Sequence, residues 1–327
     1  MQRSFSETKQ SSPGEQASSL VYEAIYRGMP SVVLETDQIR AELIPGIGAK
    51  IVSLVYKPTK REWLIDAGTR ELRRLTSASS FGEADLSGWD ECFPTVSPCP
   101  GDEEGKLRLP DHGEVWPLAW ARVVGADSVS CSASGIALPY RLSRTIVFEA
   151  ADTMRLNYFV ENSGSDALPF LWVPHPQFIV PEPTRIMLPS AVREMLCVFG
   201  GDSRQAGKRY RWTGESLVLP AQTGDGRKFY VPGQLAEGWC GLVGESSGDW
   251  LRMDVNPQSV PYLGVWIDEG IVNDRNVIAL EPSIGYYDSL DRAIANGTAA
   301  VVQPGGSCEW SLRLRLGTGG ITSGFAE

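Results

Sequence analysis

A chain of 327 residues and 35.7 kDa can bury a large core, in one big β domain or two smaller ones. With 42% hydrophobic and 21% charged residues the composition is globular and not that of a disordered chain. The formal charge of −10 argues against nucleic acid and against an anionic membrane surface, because both need a surplus of Lys and Arg, and it leaves small uncharged substrates open.

The opening stretch MQRSFSETKQSSPGEQASSL has no apolar run, so it reads as neither a signal peptide nor a membrane span. Its Ser and Gln content predicts a flexible polar tail over residues 1–20. A single β domain is expected over residues 21–320. IRAELIPGIGAKIVSLVY (39–56) has the pattern of a hairpin or bent strand around IPGIG. LSGWDECFPTVSP (86–98) brings Trp89, Asp90 and Glu91 together in what reads as a loop, and LPDHGEVW (109–116) sets His112 beside Asp111 and Glu114.

MRLNYFVEN (154–162) alternates Met154, Leu156, Tyr158 and Val160 with polar neighbours, the period-two signature of a half-buried strand. SGSD (163–166) supplies turn chemistry, and a second apolar run, LPFLWV (168–173), follows. That run ends on Pro174, His175 and Pro176. NVIALEPSIGYYDS (276–289) closes another apolar run on Glu281, and a carboxylate there is at a strand end or needs a buried partner. DSLDRAIANG (288–297) is a short helix candidate with an N-cap at Asp288 or Ser289 and an Asn-Gly stop. PGGS (304–307) is a turn, and EWSLRLRLG alternates Trp310, Leu312, Leu314 and Leu316 with polar residues. Gly and Pro punctuate the whole chain, as in an all-β protein with many short strands.

Six cysteines lie scattered without a CxxC pair, so they read as reduced thiols, in a cytoplasmic setting. Both histidines of the chain, His112 and His175, sit in the polar clusters. A lone histidine beside apolar residues is more often a hydrogen-bonded structural residue than a catalyst. Asp90 and Glu91 read first as solvated loop charges, and Glu281 as a salt-bridged strand end. Trp89, Trp116 and Trp172 each lie near a polar candidate, and indole rings beside polar groups suit the faces of sugars.

Taken together, LIPGIGAKIVSL (43–54), GWDECFPT (88–95), PDHGEVW (110–116), LPFLWVPHPQF (168–178), IALEPSIG (278–285) and PGGSCEWSLRLRLG (304–317) resemble the galactose mutarotase-like superfamily, and within it the bacterial aldose 1-epimerase-like proteins. The resemblance implies a large antiparallel β-sandwich with few short helices and a monosaccharide cleft across one sheet. It implies interconversion of aldose anomers without metal or organic cofactor, in a monomer or homodimer. The family's catalytic histidine falls on His175, its catalytic glutamate on Glu281, and its second sugar-contacting histidine on His112. Glu281 is then the base and His175 the acid, with Asp90, Glu91 and Trp89 expected at the substrate. Proline on both sides of His175 departs from the family pattern, which has Asn before the histidine and Tyr-Phe-Asn after it. Three other possibilities are a non-catalytic sugar-binding or sensing protein on the same fold, a hexose-phosphate epimerase gripping phosphate through Arg73 and Arg74, and a metal site of two histidines and a carboxylate.

Overall fold

Alternating hydrophobicity becomes strand along most of the computed structural model, which describes residues 18–102, 105–213, 216–320 and 324–325. One nine-stranded sheet runs in the order Leu217–Val218, Thr184–Met187, Trp239–Gly244, Trp250–Val255, Ser307–Gly317, Thr153–Asn162, Tyr140–Ala150, Ser128–Ser134, Ala121–Val124. Opposite it lie two more sheets. A seven-stranded one runs Leu20–Tyr26, Met29–Glu35, Ile39–Ile44, Lys50–Tyr56, Trp89–Cys92, Val173–Pro176, with Arg61–Glu62 branching from Lys50–Tyr56. A six-stranded one runs Phe178–Ile179, Val277–Ser283, Tyr262–Asp268, Gly226–Tyr230, Glu194–Phe199, Arg209–Arg211. Neighbouring strands in the three sheets pair antiparallel. The fold is an all-β sandwich.

The main apolar cluster joins the layers. Leu156 and Leu314 of the nine-stranded sheet meet Leu34 and Leu54 of the seven-stranded one and Val265 and Leu280 of the six-stranded one. Strand Thr153–Asn162 shows how the pattern drives this: Met154, Leu156, Tyr158 and Val160 are at most 1% exposed, while Phe159 on the outer face is 37% exposed. Trp310, Leu312, Leu314 and Leu316 turn inward from the neighbouring strand in the same way.

The expected hairpin around IPGIG forms between Ile39–Ile44 and Lys50–Tyr56. The short helix forms over Leu290–Ala295, with Ser289 at its N-cap and Asn296 and Gly297 ending it. LPFLWV is split: Leu168–Phe170 pairs with Ala300–Val302, and the chain then enters strand Val173–Pro176. Most of the expected polar tail, residues 1–17, lies outside the described residues, and strand begins already at Leu20. The six cysteines are free thiols. No helix among the described residues is long and apolar enough to cross a membrane.

GWDEC departs from the sequence expectation. It is a strand, Trp89–Cys92, and all four residues are buried. Its charges are tolerated inside because each meets a buried cation, a partnership that the local sequence does not display.

Leu156 packs between the sheets, so Leu156→Ala should cost about 2–5 kcal/mol of unfolding free energy. Phe159→Ala, three residues on but outside, should stay within about 1 kcal/mol. Denaturant unfolding of the two variants measures the difference.

Candidate active site

The stretch Leu171–Ile179 stitches the seven-stranded sheet to the six-stranded one. Its odd-numbered residues give their N–H groups to one side, with Leu171 bonding Pro94, Gln177 bonding Gly88 and Ile179 bonding Trp63. Even-numbered residues face strand Val277–Ser283. Trp172 and Ile284 exchange two hydrogen bonds there, and Phe178 pairs with Ile278. Both contacts lie on one register, which puts His175 directly opposite Glu281 and Pro174 opposite Pro282. Between the two contacts Pro174, Pro176 and Pro282 have no N–H to give, so the ladder cannot close. His175 and Glu281 occupy a non-hydrogen-bonded position, where side chains of facing residues come closest.

Their side chains meet across this seam. His175 Nδ1 lies 3.0 Å from Glu281 Oε1, and Gln177 Nε2 lies 3.0 Å from His175 Nε2. Gln177 and His175 are two residues apart on an extended chain, hence on one face. The other carboxylate oxygen, Glu281 Oε2, is 2.7 Å from Lys228 Nζ. Lys228 Nζ is also 2.7 Å from Asp288 Oδ1, which accepts from the Tyr230 hydroxyl at 2.5 Å. Gly264 faces Glu281 in the adjacent strand, and a Cβ there would stand 3.0 Å from Glu281 Oε2. The missing side chain is what gives the carboxylate its place.

Burial alone would raise the pKa of Glu281, but Lys228 and His175 outweigh it and lower it to about 2. Burial would likewise lower that of Lys228, yet Asp288 and Glu281 leave it raised. The pair is therefore carboxylate and ammonium across the neutral range.

His112 approaches from a separate loop. It has φ 58°, in the left-handed region, and Gly113 follows at φ 76°, where a Cβ would run into the Phe93 carbonyl. This tight turn lays the imidazole on Phe81, stacked at 4.0 Å between centroids, with the His175 ring 5.2 Å away. Asp111 Oδ1 is 2.9 Å from His112 Nδ1 and Asp111 Oδ2 accepts from the Phe81 N–H at 2.8 Å. Burial lowers the pKa of His112 against the pull of Asp111. Despite desolvation, the His112 contact and the Phe81 N–H bring Asp111 down to about 2. A neutral His112 that donates from Nδ1 keeps an acceptor lone pair on Nε2.

These groups line a cavity of about 330 Å³. Its wall includes His112, His175, Gln177, Lys228, Glu281 and Asp288, with aromatic faces from Phe81, Trp266 and Phe199. The volume lies at the small end of ligand pockets, which span roughly 300–1,000 Å³.

Of the six residues singled out from the sequence, the structure brings His175, Glu281 and His112 to this cavity. Trp89, Asp90 and Glu91 do not reach it, and each is fully buried. Trp89 sits in the sandwich core, edge-on to Phe178. Glu91 points the same way and accepts from Arg144 at 2.8 Å, the Tyr158 hydroxyl at 2.9 Å and Trp172 Nε1 at 2.8 Å. Asp90 pairs with His175 in register and is sealed beneath it, 3.1 Å from Lys50 Nζ, which also binds Asp85 at 2.8 Å. Burial raises the pKa of Asp90 to about 6, with Lys50 opposing. Strand periodicity separates them: residues 89 and 91 share the face opposite residue 90. Sequence reasoning missed Lys228, Gln177, Asp288 and Phe81. Gln177 was findable, two positions after His175 on an extended chain. Lys228 had one signal, a lysine at the head of the apolar run FYV, and Phe81 had none.

Two outcomes follow from this arrangement. Glu91→Ala leaves Arg144 buried and unpaired, so it should cost about 3–5 kcal/mol in denaturant unfolding, whereas a substrate contact would change binding and leave stability alone. The value for Glu281, about 2, lies below the ordinary 4.5, so its stabilising contribution is complete above about pH 4.5 and is lost as pH falls toward 2. Lys228→Met removes the main attraction, burial then raises the carboxyl, and the midpoint of acid unfolding should move to higher pH; an unchanged midpoint would contradict the pairing.

No protein-family model and no curated protein matches the sequence. Solved structures do. A galactose mutarotase-like protein from Lactobacillus casei superposes with a TM-score of 0.62 at 17% identity, over 88% of this chain and 100% of that one. The galactose mutarotase related enzyme from Lactobacillus acidophilus gives 0.65 at 15% identity, over 89% and 98%. A galactose mutarotase-like protein from Clostridium acetobutylicum gives 0.63 at 12% identity, over 91% and 98%. These superpositions, each over most of both chains, show that the chain has the galactose mutarotase-like fold.

Proposed function

We propose that the protein interconverts the α and β anomers of an aldose by acid–base ring opening, as an aldose 1-epimerase. The observation that carries the reading is the 3.0 Å contact between His175 Nδ1 and Glu281 Oε1 in the wall of a small cavity. The names of the structural neighbours agree with it.

Ring opening takes a proton from the C1 hydroxyl and gives one to the ring oxygen, as the bond from C1 to that oxygen breaks and the carbonyl forms. Rotation about C1–C2 and closure from the other face reverse the transfers. Glu281, kept ionised by Lys228, is the base. His175 is the acid. Gln177 suits a group that changes protonation state: its amide N–H donates to an unprotonated Nε2, and the same amide turned by half a rotation accepts from a protonated one. His112 offers Nε2 to a sugar hydroxyl, and Phe81 and Trp266 present apolar faces to ring C–H groups.

Charge favours an uncharged sugar. The wall carries Asp111, Asp268, Glu281 and Asp288 against Lys228, whose ammonium already serves two carboxylates. Arg73 and Arg74, the candidate phosphate grip, are exposed and absent from that wall. A phosphate would meet repulsion there.

Polarimetry with fresh α-glucose and α-galactose tests the proposal. Glu281→Gln and His175→Asn should each slow mutarotation by about 10²–10⁴-fold, the range for a positioned acid or base. If Glu281→Gln equilibrates the anomers as fast as wild type, the base is misassigned. Sugar binding with no acceleration by the wild-type protein would instead identify a binding protein.

A further inference from the structure

The cavity does not end at Phe199. A second hollow of about 660 Å³ adjoins it and shares Ser97, Phe199 and Asp288 with it. Phe199 stands at the junction and is 44% exposed. Its position is built. Strand Glu194–Phe199 slips register between Cys197 and Phe199, a bulge, and bulges re-aim side chains next to binding sites. Phe199 thereby comes opposite Lys228 in the next strand, with the Trp266 ring 5.6 Å away.

Sheet order gives the direction of this extension. Strands carrying Glu281, Trp266, Lys228 and Phe199 follow one another across the six-stranded sheet. Three inter-strand spacings separate the first from the last, about 14 Å, more than one pyranose ring covers. Beyond Phe199 the hollow is polar rather than apolar. Ser289 and Arg292 line it from the start of the short helix, Tyr287 lies beside them, and Ala206 closes another side. Arg292 is exposed and makes no ion pair among the described residues, so its guanidinium can donate to hydroxyls.

We propose that this hollow is a second sugar subsite, and that the substrate is the reducing end of a di- or oligosaccharide rather than a free monosaccharide. The inference rests on the sugar reading of the first cavity. The ring that opens sits against His175 and Glu281, its neighbour stacks on Phe199, and hydroxyls beyond reach Ser289 and Arg292. An aromatic face with polar groups at its edge fits a second pyranose, which is apolar on its C–H face and polar around its rim. An apolar aglycone would meet a wall more polar than apolar, and a phosphate would face Asp288 and Asp291 as well as Arg292.

Titration calorimetry and polarimetry on the full chain test it, with glucose, maltose, cellobiose and gentiobiose as probes. At least one disaccharide should bind ten times more tightly than glucose. Ala206→Trp, an exposed position outside the first cavity, should bring that disaccharide to the glucose level and leave glucose binding and turnover within twofold. Equal affinity for glucose and all three disaccharides, or equal losses on both in Ala206→Trp, overturns the subsite. The two readings fail separately. Tight disaccharide binding without anomer interconversion removes the epimerase and keeps the subsite, whereas glucose mutarotation without disaccharide preference does the reverse. Binding of none of the four sugars overturns both.

Discussion

Two strands that lie side by side and cannot zip together are the constraint on which the site depends. Antiparallel strands at this distance close a continuous ladder when each residue on the shared side has an N–H to give. Here Pro174, Pro176 and Pro282 remove every donor over the middle of the seam except that of Leu280, while Trp172 with Ile284 and Phe178 with Ile278 pin its two ends. Register is then fixed from both sides, and His175 has nowhere to face but Glu281. The same prolines leave the other edge of the strand intact, because residues 173, 175 and 177 direct their N–H groups toward Trp89–Cys92 and its flanks. The pair proposed to transfer protons is thus aimed by backbone chemistry, with little side-chain freedom left to lose.

Electrostatics builds the second half of the site. A carboxylate in a protein interior needs a cation or several donors. Glu281 has Lys228, Glu91 has Arg144, and Asp85 and Asp90 share Lys50. Only the first pair opens onto the cavity. The other two lie behind it and hold strand Trp89–Cys92 between its neighbours, so they support the wall without reaching the cavity. The three clusters look alike as charge and differ in access, and access follows from which face of a strand a residue occupies.

Much of the architecture was legible in the sequence. Strand Thr153–Asn162, the closing strand Ser307–Gly317, the hairpin around Pro45–Gly48 and the helix at Leu290–Ala295 all follow from local periodicity or capping. GWDEC was misread because polarity normally marks solvent, and the cations that allow its burial are remote: Lys50 is 40 residues before Asp90, and Arg144 is 53 after Glu91. Trp89 looked like a stacking platform because sequence proximity to polar residues says nothing about which face an indole occupies. The aromatic faces that do line the cavity, Phe81, Phe199 and Trp266, come from segments with no polar motif to flag them.

By itself, then, the chain determines what short-range physics can encode: alternating faces, turns, one helix cap, and an imidazole locked between prolines. Its three prolines even contain the instruction not to close the seam, although one strand cannot reveal which other strand it is refused. Tertiary structure alone decided the partners. It brought Lys228 to Glu281, His112 to the same cavity as His175, and Phe199 to the junction of two hollows, because those contacts join positions tens to more than a hundred residues apart. Ion pairing and ring contact act over a few ångströms of space, and nothing in local spacing along a chain measures that distance.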